Sequence, residues 1–169
     1  MIINGEMLLR RMTDKDYYLM VKWLNDPNVL EFYEETPLCL DDVIVKFGPR
    51  IEGKHYVTPF IVEYINEPIG YIQYYKITNT DYNLYGYSQV ENIFGIDQFI
   101  GEQYLWGRGL GKSMIVMMLD YIGKNENISR VVLEVKNSNY RAIHCYKKCG
   151  FKKVKKLDNE LCLMEWIKQ

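Results

Sequence analysis

The chain has 169 residues, 48% hydrophobic and 25% charged, which suits a folded globular protein with a single core, and we expect one domain spanning residues 1–169. The net charge of −1 disfavours a nucleic-acid-binding role, and no apolar run reaches the roughly 18 residues that a membrane span needs. No secretory signal is recognisable, so we expect a cytoplasmic protein with reduced thiols and no membrane partner.

The first half of the sequence predicts two strands that pair as a hairpin, preceded by a strand and several helices. In chain order these elements are a strand at 7–11, a helix capped by Thr13 or Asp14, a helical turn at 29–33, a helix at 40–47, and hairpin strands at 60–64 and 69–76. We expect Gly48-Pro49 to end the helix at 40–47. Residues 77–91 are polar without a clear period, and we predict a mobile loop.

The second half alternates strands and helices. The predicted elements are a strand at 92–100, a helix at about 109–123, a buried strand at 130–135, a helix at 141–149 ended by Gly150, and strands near 153–157 and 161–167. This order predicts an α/β (α+β) fold, a mixed central sheet of about seven strands with helices on both faces.

Three glycines lie where the strand at 92–100 gives way to a helix. Unpaired N–H groups and the positive end of a helix dipole at such a turn suit a phosphate. A Walker A loop is excluded because Trp106 occupies a position where that motif requires glycine. A dinucleotide fingerprint is excluded because Lys112 occupies the position of its third glycine. The alternative is a glycine-rich turn without a ligand. The remaining pattern, Arg-Gly-x-Gly-Lys at 108–112, resembles the pyrophosphate loop of the GNAT superfamily of N-acetyltransferases, which bind acetyl-coenzyme A. That motif usually begins with Gln or Arg, where this chain has Trp106.

A second stretch, residues 139–151, is similar to another signature of that superfamily. The resemblance implies that Asn139 contacts the pantetheine region of the cofactor. It also implies that the Tyr146 hydroxyl lies near the thioester sulfur and protonates the leaving thiolate. The alternative for Tyr146 is a half-buried packing residue.

A narrower resemblance is carried by residues 95–102 and 68–75, and it extends over residues 7–166. These segments resemble the aminoglycoside 6′-N-acetyltransferases. The resemblance implies that Asp97 lies beside the acetyl group and accepts a proton from the attacking amine. It implies that Glu134, where the family usually has Asp, binds an amino group of the drug. The alternative for Asp97 is a structural partner of Arg or of a backbone amide.

The expected site residues fall into three groups by role. The catalytic residues are Asp97 and Tyr146. The residues expected to bind acetyl-coenzyme A are Gln98, Phe99, Ile100, Gly107, Arg108, Gly109, Leu110, Gly111, Lys112, Ser113, Asn139, Ala142 and Tyr146. Those expected to line the acceptor site are Tyr33, Glu34, Tyr71, Gln73, Tyr75, Asp97 and Glu134.

Charge is divided in a way that fits two substrates of opposite sign. Residues 1–102 hold 16 acidic and 8 basic side chains, net −8, and residues 103–169 hold 6 acidic and 13 basic side chains, net +7. The glycine loop lies in the basic part, so an anionic cofactor is expected there and a cation against the acidic part.

The resulting hypothesis is an enzyme that transfers acetyl from acetyl-coenzyme A to an aminoglycoside, at the 6′-amine, and so confers antibiotic resistance. One alternative is a GNAT enzyme acting on a polyamine or another small amine. A second is a sensor that binds acyl-coenzyme A without turnover. The four cysteines show no metal-ligand spacing, so no metal is expected, and the protein is predicted to be a monomer or a homodimer.

Overall fold

A mixed eight-stranded sheet organises the computed structural model, which describes residues 1–33 and 36–168. Along the sheet the strands stand in the order β1-β2-β3-β4-β5-β6-β8-β7. Their bounds are β1 Ile2–Asn4, β2 Met7–Arg11, β3 Thr58–Tyr64, β4 Glu67–Lys76, β5 Ile93–Ile100, β6 Arg130–Lys136, β7 Lys152–Lys156 and β8 Leu161–Ile167. The described neighbours pair antiparallel except β5 and β6, which are parallel. A parallel pair needs a crossover between its strands, and the helix after β5 supplies it.

Helices cover both faces of this sheet. They are α1 Tyr17–Trp23, α2 Pro27–Leu30, α3 Leu40–Ile51, α4 Asn79–Tyr85, α5 Leu110–Asn125 and α6 Tyr140–Lys148. On one face, α5 buries Met114 and Met118 in the same cluster as Ile96 and Val131 of the sheet. On the other face, Trp23, Phe47 and Tyr71 belong to a second buried cluster under α1 and α3. Successive residues of a strand point to opposite faces, so β4, β5 and β6 each contribute side chains to both layers.

The predicted fold class is confirmed, and the strand count differs by one. The sheet has eight strands because Ile2–Asn4 forms a short edge strand that pairs with β2. A segment of three residues is too short for a strand alternation to be recognised.

The prediction that Gly48-Pro49 ends the helix at 40–47 is wrong, because α3 continues to Ile51. Pro49 lies in the last turn of the helix, so it removes one hydrogen bond, the one that an N–H at this position would donate to the Val45 carbonyl, and only two helical residues follow it. Burial of Val43 and Phe47 fixes the helix on the sheet and outweighs the local penalty. This extension positions Arg50.

The prediction of a loop over 77–91 is also wrong, because α4 occupies Asn79–Tyr85. The Thr78 N–H donates to Asp81 Oδ2 at 2.7 Å, and the Asp81 N–H donates to Thr78 Oγ1 at 3.3 Å, which is a capping box. Gly86 ends the helix in a left-handed conformation at φ 81°. Both signals are local and were present in the sequence.

Candidate active site

The sheet opens in its middle, between β5 and β6. These two strands pair only through Ile93–Gly95 and Arg130–Val132 in the described chain. Beyond Gly95, β5 continues to Ile100 while paired with β4 alone. Every second N–H and C=O along this length of β5 therefore faces an opening instead of a neighbouring strand.

Two carboxylates stand just past the point where the strands separate. Gly95 and Val132 form the last β5–β6 pair, and Asp97 and Glu134 each follow two residues later. Because side chains alternate with a period of two, both carboxylates lie on the sheet face opposite α5. Asp97 accepts hydrogen bonds from Gln73 Nε2 at 2.7 Å and from the Tyr75 hydroxyl at 3.5 Å. Burial raises the pKa of Asp97 above its ordinary value, and these two hydrogen bonds counteract the rise.

Gln73 links Asp97 to the rest of the acceptor side. This buried side chain is 6% exposed, and it lies on β4 directly across from Asp97. Its carbonyl oxygen accepts from the Tyr71 hydroxyl at 2.6 Å and from Arg50 Nη1 at 2.8 Å. Tyr71 itself is fully buried, with its ring between Phe47 and Phe99.

Glu134 is exposed and receives a hydrogen bond from α4. The Tyr85 hydroxyl donates to Glu134 Oε1 at 2.8 Å. Burial together with this carboxylate raises the pKa of Tyr85, so its hydroxyl stays protonated and able to donate. The helix missed by the sequence prediction thus orients one of the two predicted acceptor carboxylates.

Tyr146 approaches the opening from the other face of the sheet, where α6 packs with α5. Its hydroxyl oxygen accepts from Gln98 Nε2 at 2.8 Å, which leaves the phenolic proton free for another acceptor. Burial raises the pKa of Tyr146, so the phenol stays protonated at neutral pH. Gln98 Oε1 is buried without a hydrogen-bond partner in the described chain, and Gln98 lines the cavity described below. A buried orphan acceptor of this kind suits a ligand N–H.

The glycine loop takes the form expected of a phosphate site. Gly107 and Gly109 have φ of 78° and 84°, a region that glycine occupies without strain, and Gly109 is the N-cap of α5. No described heavy atom lies within 4 Å of a Cβ placed at either residue. Trp106 ties the loop to β5, because its Nε1 donates to the Ile100 carbonyl at 2.8 Å while the Arg141 guanidinium lies 3.6 Å from its ring centroid.

A single cavity of about 1060 Å³ joins these features. Its walls include predicted residues from every group: Tyr33, Gln73, Asp97, Gln98, Phe99, Ile100, Gly107, Gly109, Leu110, Gly111, Lys112, Glu134, Asn139, Ala142 and Tyr146. Arg108, Ser113, Tyr71 and Tyr75 do not line it, and Glu34 lies outside the described residues. Tyr71 and Tyr75 reach the site through hydrogen bonds to Gln73 and Asp97. Asn139 Oδ1 caps α6 by accepting from the Ala142 N–H at 3.1 Å.

Sequence reasoning missed the basic residues of α3 that line the same cavity, Lys46 and Arg50. Both lie on the helix that was expected to stop at Phe47. It also missed Tyr85, whose helix was predicted as loop. Within residues 1–33 and 36–168, no group of three or more His, Cys, Asp or Glu side chains could hold a metal ion. Nor does any helix there have the length and apolarity to cross a membrane.

Comparisons with known proteins agree with this geometry. A family model described as an acetyltransferase (GNAT) domain matches residues 12–159. An aminoglycoside N(6′)-acetyltransferase type 1 from Klebsiella pneumoniae is 30% identical over 152 residues, 89% of this chain and 76% of that protein. A spermine/spermidine N(1)-acetyltransferase from Bacillus subtilis is 24% identical over 146 residues, 85% of this chain and 86% of that protein. The solved structure of AAC(6')-Ib with paromomycin and acetyl-CoA has a TM-score of 0.80 at 27% identity, covering 96% of this chain and 94% of that one.

A sheet opened beside a glycine-rich helix start, with a carboxylate on one face and a phenol on the other, suits an acyltransferase that uses an acyl thioester. The chain belongs to the GNAT acetyltransferase family. It is an acetyl-coenzyme A-dependent N-acetyltransferase, and acetyl-coenzyme A is its co-substrate. The open β5 edge, the orphan Gln98 oxygen and the strain-free glycines fit that co-substrate. This assignment sets aside the sensor without turnover.

Proposed function

We propose that the protein acetylates an aminoglycoside, at the 6′-amine. The observation that carries this proposal is the pair of carboxylates, Asp97 and Glu134, on one wall of the cavity just past the point where β5 and β6 separate. A polycationic acceptor needs such anionic partners, and the reacting amine needs a base beside it. The 30% identical relative from Klebsiella pneumoniae, named an aminoglycoside N(6′)-acetyltransferase, supports the same substrate class.

In the proposed reaction, this chain supplies proton transfer and orientation. Acetyl-coenzyme A brings the acetyl thioester that the amine attacks. Asp97 takes a proton from the acceptor's ammonium group, directly or through a water, because only the neutral amine is a nucleophile. Tyr146 gives its phenolic proton to the sulfur as the carbon–sulfur bond breaks, and the further proton that the new amide nitrogen loses restores the phenol through solvent. Glu134 holds a second amino group of the acceptor and so orients the first.

The helix start at Gly109 is the proposed anion site. Backbone N–H groups of residues 107–113 and the dipole of α5 hold the pyrophosphate. Along the opening, the exposed edge of Gln98 to Ile100 pairs with the pantetheine arm as an added strand would. We expect Arg108 and Ser113 to contribute charge and an N–H at the rim, since they do not line the cavity.

A polyamine is the second candidate acceptor. One observation favours it: the Bacillus subtilis relative, 24% identical over 85% of this chain, is named a spermine/spermidine N(1)-acetyltransferase.

Thiol release with a panel of acceptors separates the candidates. The panel contains kanamycin, a matched aminoglycoside with hydroxyl in place of amine at the 6′ position, spermidine and spermine. We expect release with kanamycin and none with the 6′-hydroxyl compound, because that position carries the reacting amine. Faster release with spermidine than with kanamycin would favour the polyamine, and equal release from both aminoglycosides would contradict the 6′ assignment.

Three further properties remain part of this proposal. Residues 1–169 are expected to form one domain around the single sheet, the protein to work in the cytoplasm, and the chain to be a monomer or homodimer with no nucleic-acid or membrane partner.

A further inference from the structure

Arg50 occupies an unusual place for a cation, beside the base of an enzyme proposed to bind a polycation. It extends from the last turn of α3, beyond Pro49, and its guanidinium lies over the Phe47 ring with Cζ 5.1 Å from the centroid. Nη1 donates to Gln73 Oε1 at 2.8 Å, while Nε is buried without a partner in the described chain. Burying an unsatisfied donor costs free energy, which suggests that this placement serves the site.

Two hydrogen bonds connect Arg50 to Asp97 through the Gln73 amide, and a third joins Tyr71 to the same amide. Gln73 Oε1 accepts from Arg50 Nη1 and from the Tyr71 hydroxyl, and Gln73 Nε2 donates to Asp97 Oδ2 at 2.7 Å. The two ends of a glutamine amide have nearly the same shape, so the hydrogen bonds around it decide which end faces which neighbour. Tyr71 cannot decide, because a hydroxyl both donates and accepts. A guanidinium has only donors, so Arg50 requires the carbonyl end to face it.

We propose that Arg50 is a positioning residue, which fixes the Gln73 amide so that its N–H end always faces Asp97 and keeps that side chain a carboxylate. Without Arg50 the Gln73 amide is free to rotate by half a turn. The Tyr71 hydroxyl, which now donates to the amide oxygen, would then accept a hydrogen bond from the amide nitrogen. The carbonyl end would then face Asp97, and only a protonated carboxyl group can donate to it. Arg50 thus keeps Asp97 in the form that can accept a proton from the amine. The inference rests on the proposed role of Asp97 as base.

The other charged and titratable groups near Asp97 act in both directions. Glu134 from β6 opposes ionisation of Asp97, whereas Gln73 and Tyr75 from β4 and Arg50 from α3 favour it. The remaining neighbours are tyrosines that interact electrostatically with Asp97: Tyr85 of α4 and Tyr146 of α6. Lys46 lines the same cavity one turn earlier on α3. Among the described residues, both Arg50 and Tyr71 donate to the Gln73 carbonyl, but only Arg50 has no ability to accept a hydrogen bond instead.

The test follows the titration of the Asp97 carboxyl group by ¹³C NMR in protein labelled at aspartate, with the signal identified by its loss in Asp97→Asn. Arg50→Met removes charge and donor but keeps an apolar stem over Phe47. We expect its Asp97 midpoint to rise by about one pH unit or more, and the acid limb of the kcat profile to move with it. Arg50→Gln, whose side chain can donate or accept, should move the midpoint in the same direction and serves if the methionine variant does not fold.

A double-mutant cycle separates orientation of the amide from a direct effect of charge. Gln73→Met should raise the midpoint as Arg50→Met does, and the double variant should rise by clearly less than the sum of the two shifts, since both remove the same hydrogen bond to Asp97 and only the direct effect of the Arg50 charge remains. Lys46→Met is the matched control, because it removes one positive charge from the same helix and cavity. Its midpoint should move by less than half as much.

An unchanged midpoint in Arg50→Met and Arg50→Gln would overturn the proposal. Additive shifts in the double variant, or a shift in Lys46→Met equal to that in Arg50→Met, would also overturn it, because the effect would then be one of charge alone. The NMR titration needs no acceptor. A protein that fails to acetylate kanamycin can therefore still confirm or refute the role of Arg50.

Discussion

At the scale of single residues, Asp97 combines a catalytic role with a cost to the fold. Asp97→Asn keeps the shape and the acceptor for Gln73 but removes basicity, so kcat should fall roughly 10²- to 10⁴-fold while acetyl-coenzyme A still binds. Steady-state kinetics and a binding titration check this. A variant that raises only KM and keeps kcat would show that Asp97 anchors the acceptor and that the base is another group.

The same substitution should stabilise the protein at high pH. The pKa of Asp97 is raised in the folded state, so its contribution to stability is favourable below the unfolded pKa and is lost as pH rises through the folded pKa. Asp97→Asn should therefore have a higher Tm than the parent at pH 8, and the difference should shrink as the pH is lowered. Thermal unfolding at pH 8 and pH 5 measures it. A difference that grows at low pH would contradict the raised pKa.

Tyr146 is the second residue whose chemistry follows from its surroundings. Tyr146→Phe removes the buried hydroxyl that accepts from Gln98 and should lower kcat by about 10²-fold with little change in the binding of either substrate. Pre-steady-state measurement of thiol release isolates this step. Full activity would mean that a water provides the proton to the thiolate.

Glu134 should affect binding more than chemistry. Glu134 is exposed and accepts a hydrogen bond from the Tyr85 hydroxyl. Glu134→Gln should therefore raise KM for a polycationic acceptor by about fivefold, which corresponds to the loss of an exposed ion pair of about 1 kcal/mol. The effect should diminish with added salt, because salt screens exposed charges. Kinetics at two salt concentrations check both statements. A loss confined to kcat would instead place Glu134 in the chemical step.

At the scale of elements, substitutions at the start of α5 distinguish an effect on protein stability from an effect on coenzyme A binding. A Cβ at Gly111 would meet Cys145 Sγ at 3.6 Å, an ordinary contact, so Gly111→Ala should fold normally. Gly109 has φ 84°, so Gly109→Ala should also lose about 1 to 2 kcal/mol of stability. Both variants should bind coenzyme A more weakly, since a methyl group hinders approach of phosphate to the backbone. Calorimetric titration measures the affinity, and unchanged values in both would refute the phosphate site.

The elements also show how far the sequence could predict the structure. The sequence predicted the glycine loop before α5 and the strands β5 and β6, because glycine spacing and buried apolar runs are local signals. The extent of α3 was not, because packing of Phe47 on the sheet outweighed a local Gly-Pro signal. Asp97 and Glu134 were singled out by the resemblance to the aminoglycoside 6′-N-acetyltransferases. Arg50 was missed because nothing local in the sequence indicates which side chain turns toward Gln73.

At the scale of the whole molecule, we expect coenzyme A binding to raise the Tm, and the uneven distribution of charge predicts that this rise depends on salt. Coenzyme A at about 100 times its Kd should stabilise the fold by about 2.7 kcal/mol, which is a rise in Tm of roughly 5 to 10 °C for a domain of this size. Residues 103–169 carry net +7 and hold the glycine loop, so added salt should reduce the rise. Thermal scans with and without coenzyme A test this. A rise independent of salt would show that attraction to the basic part contributes little.

The separation of β5 from β6 has a consequence beyond catalysis. A sheet normally leaves backbone unpaired only at its two outer strands, but this one also does so at the centre, where β5 beyond Gly95 pairs with β4 alone. Such a segment is a template for a strand of another molecule, and aggregation can begin there. Amides on that edge should show fast hydrogen exchange in every second residue, and coenzyme A should slow it. The supply of co-substrate would then govern the solubility and lifetime of the protein as well as its rate.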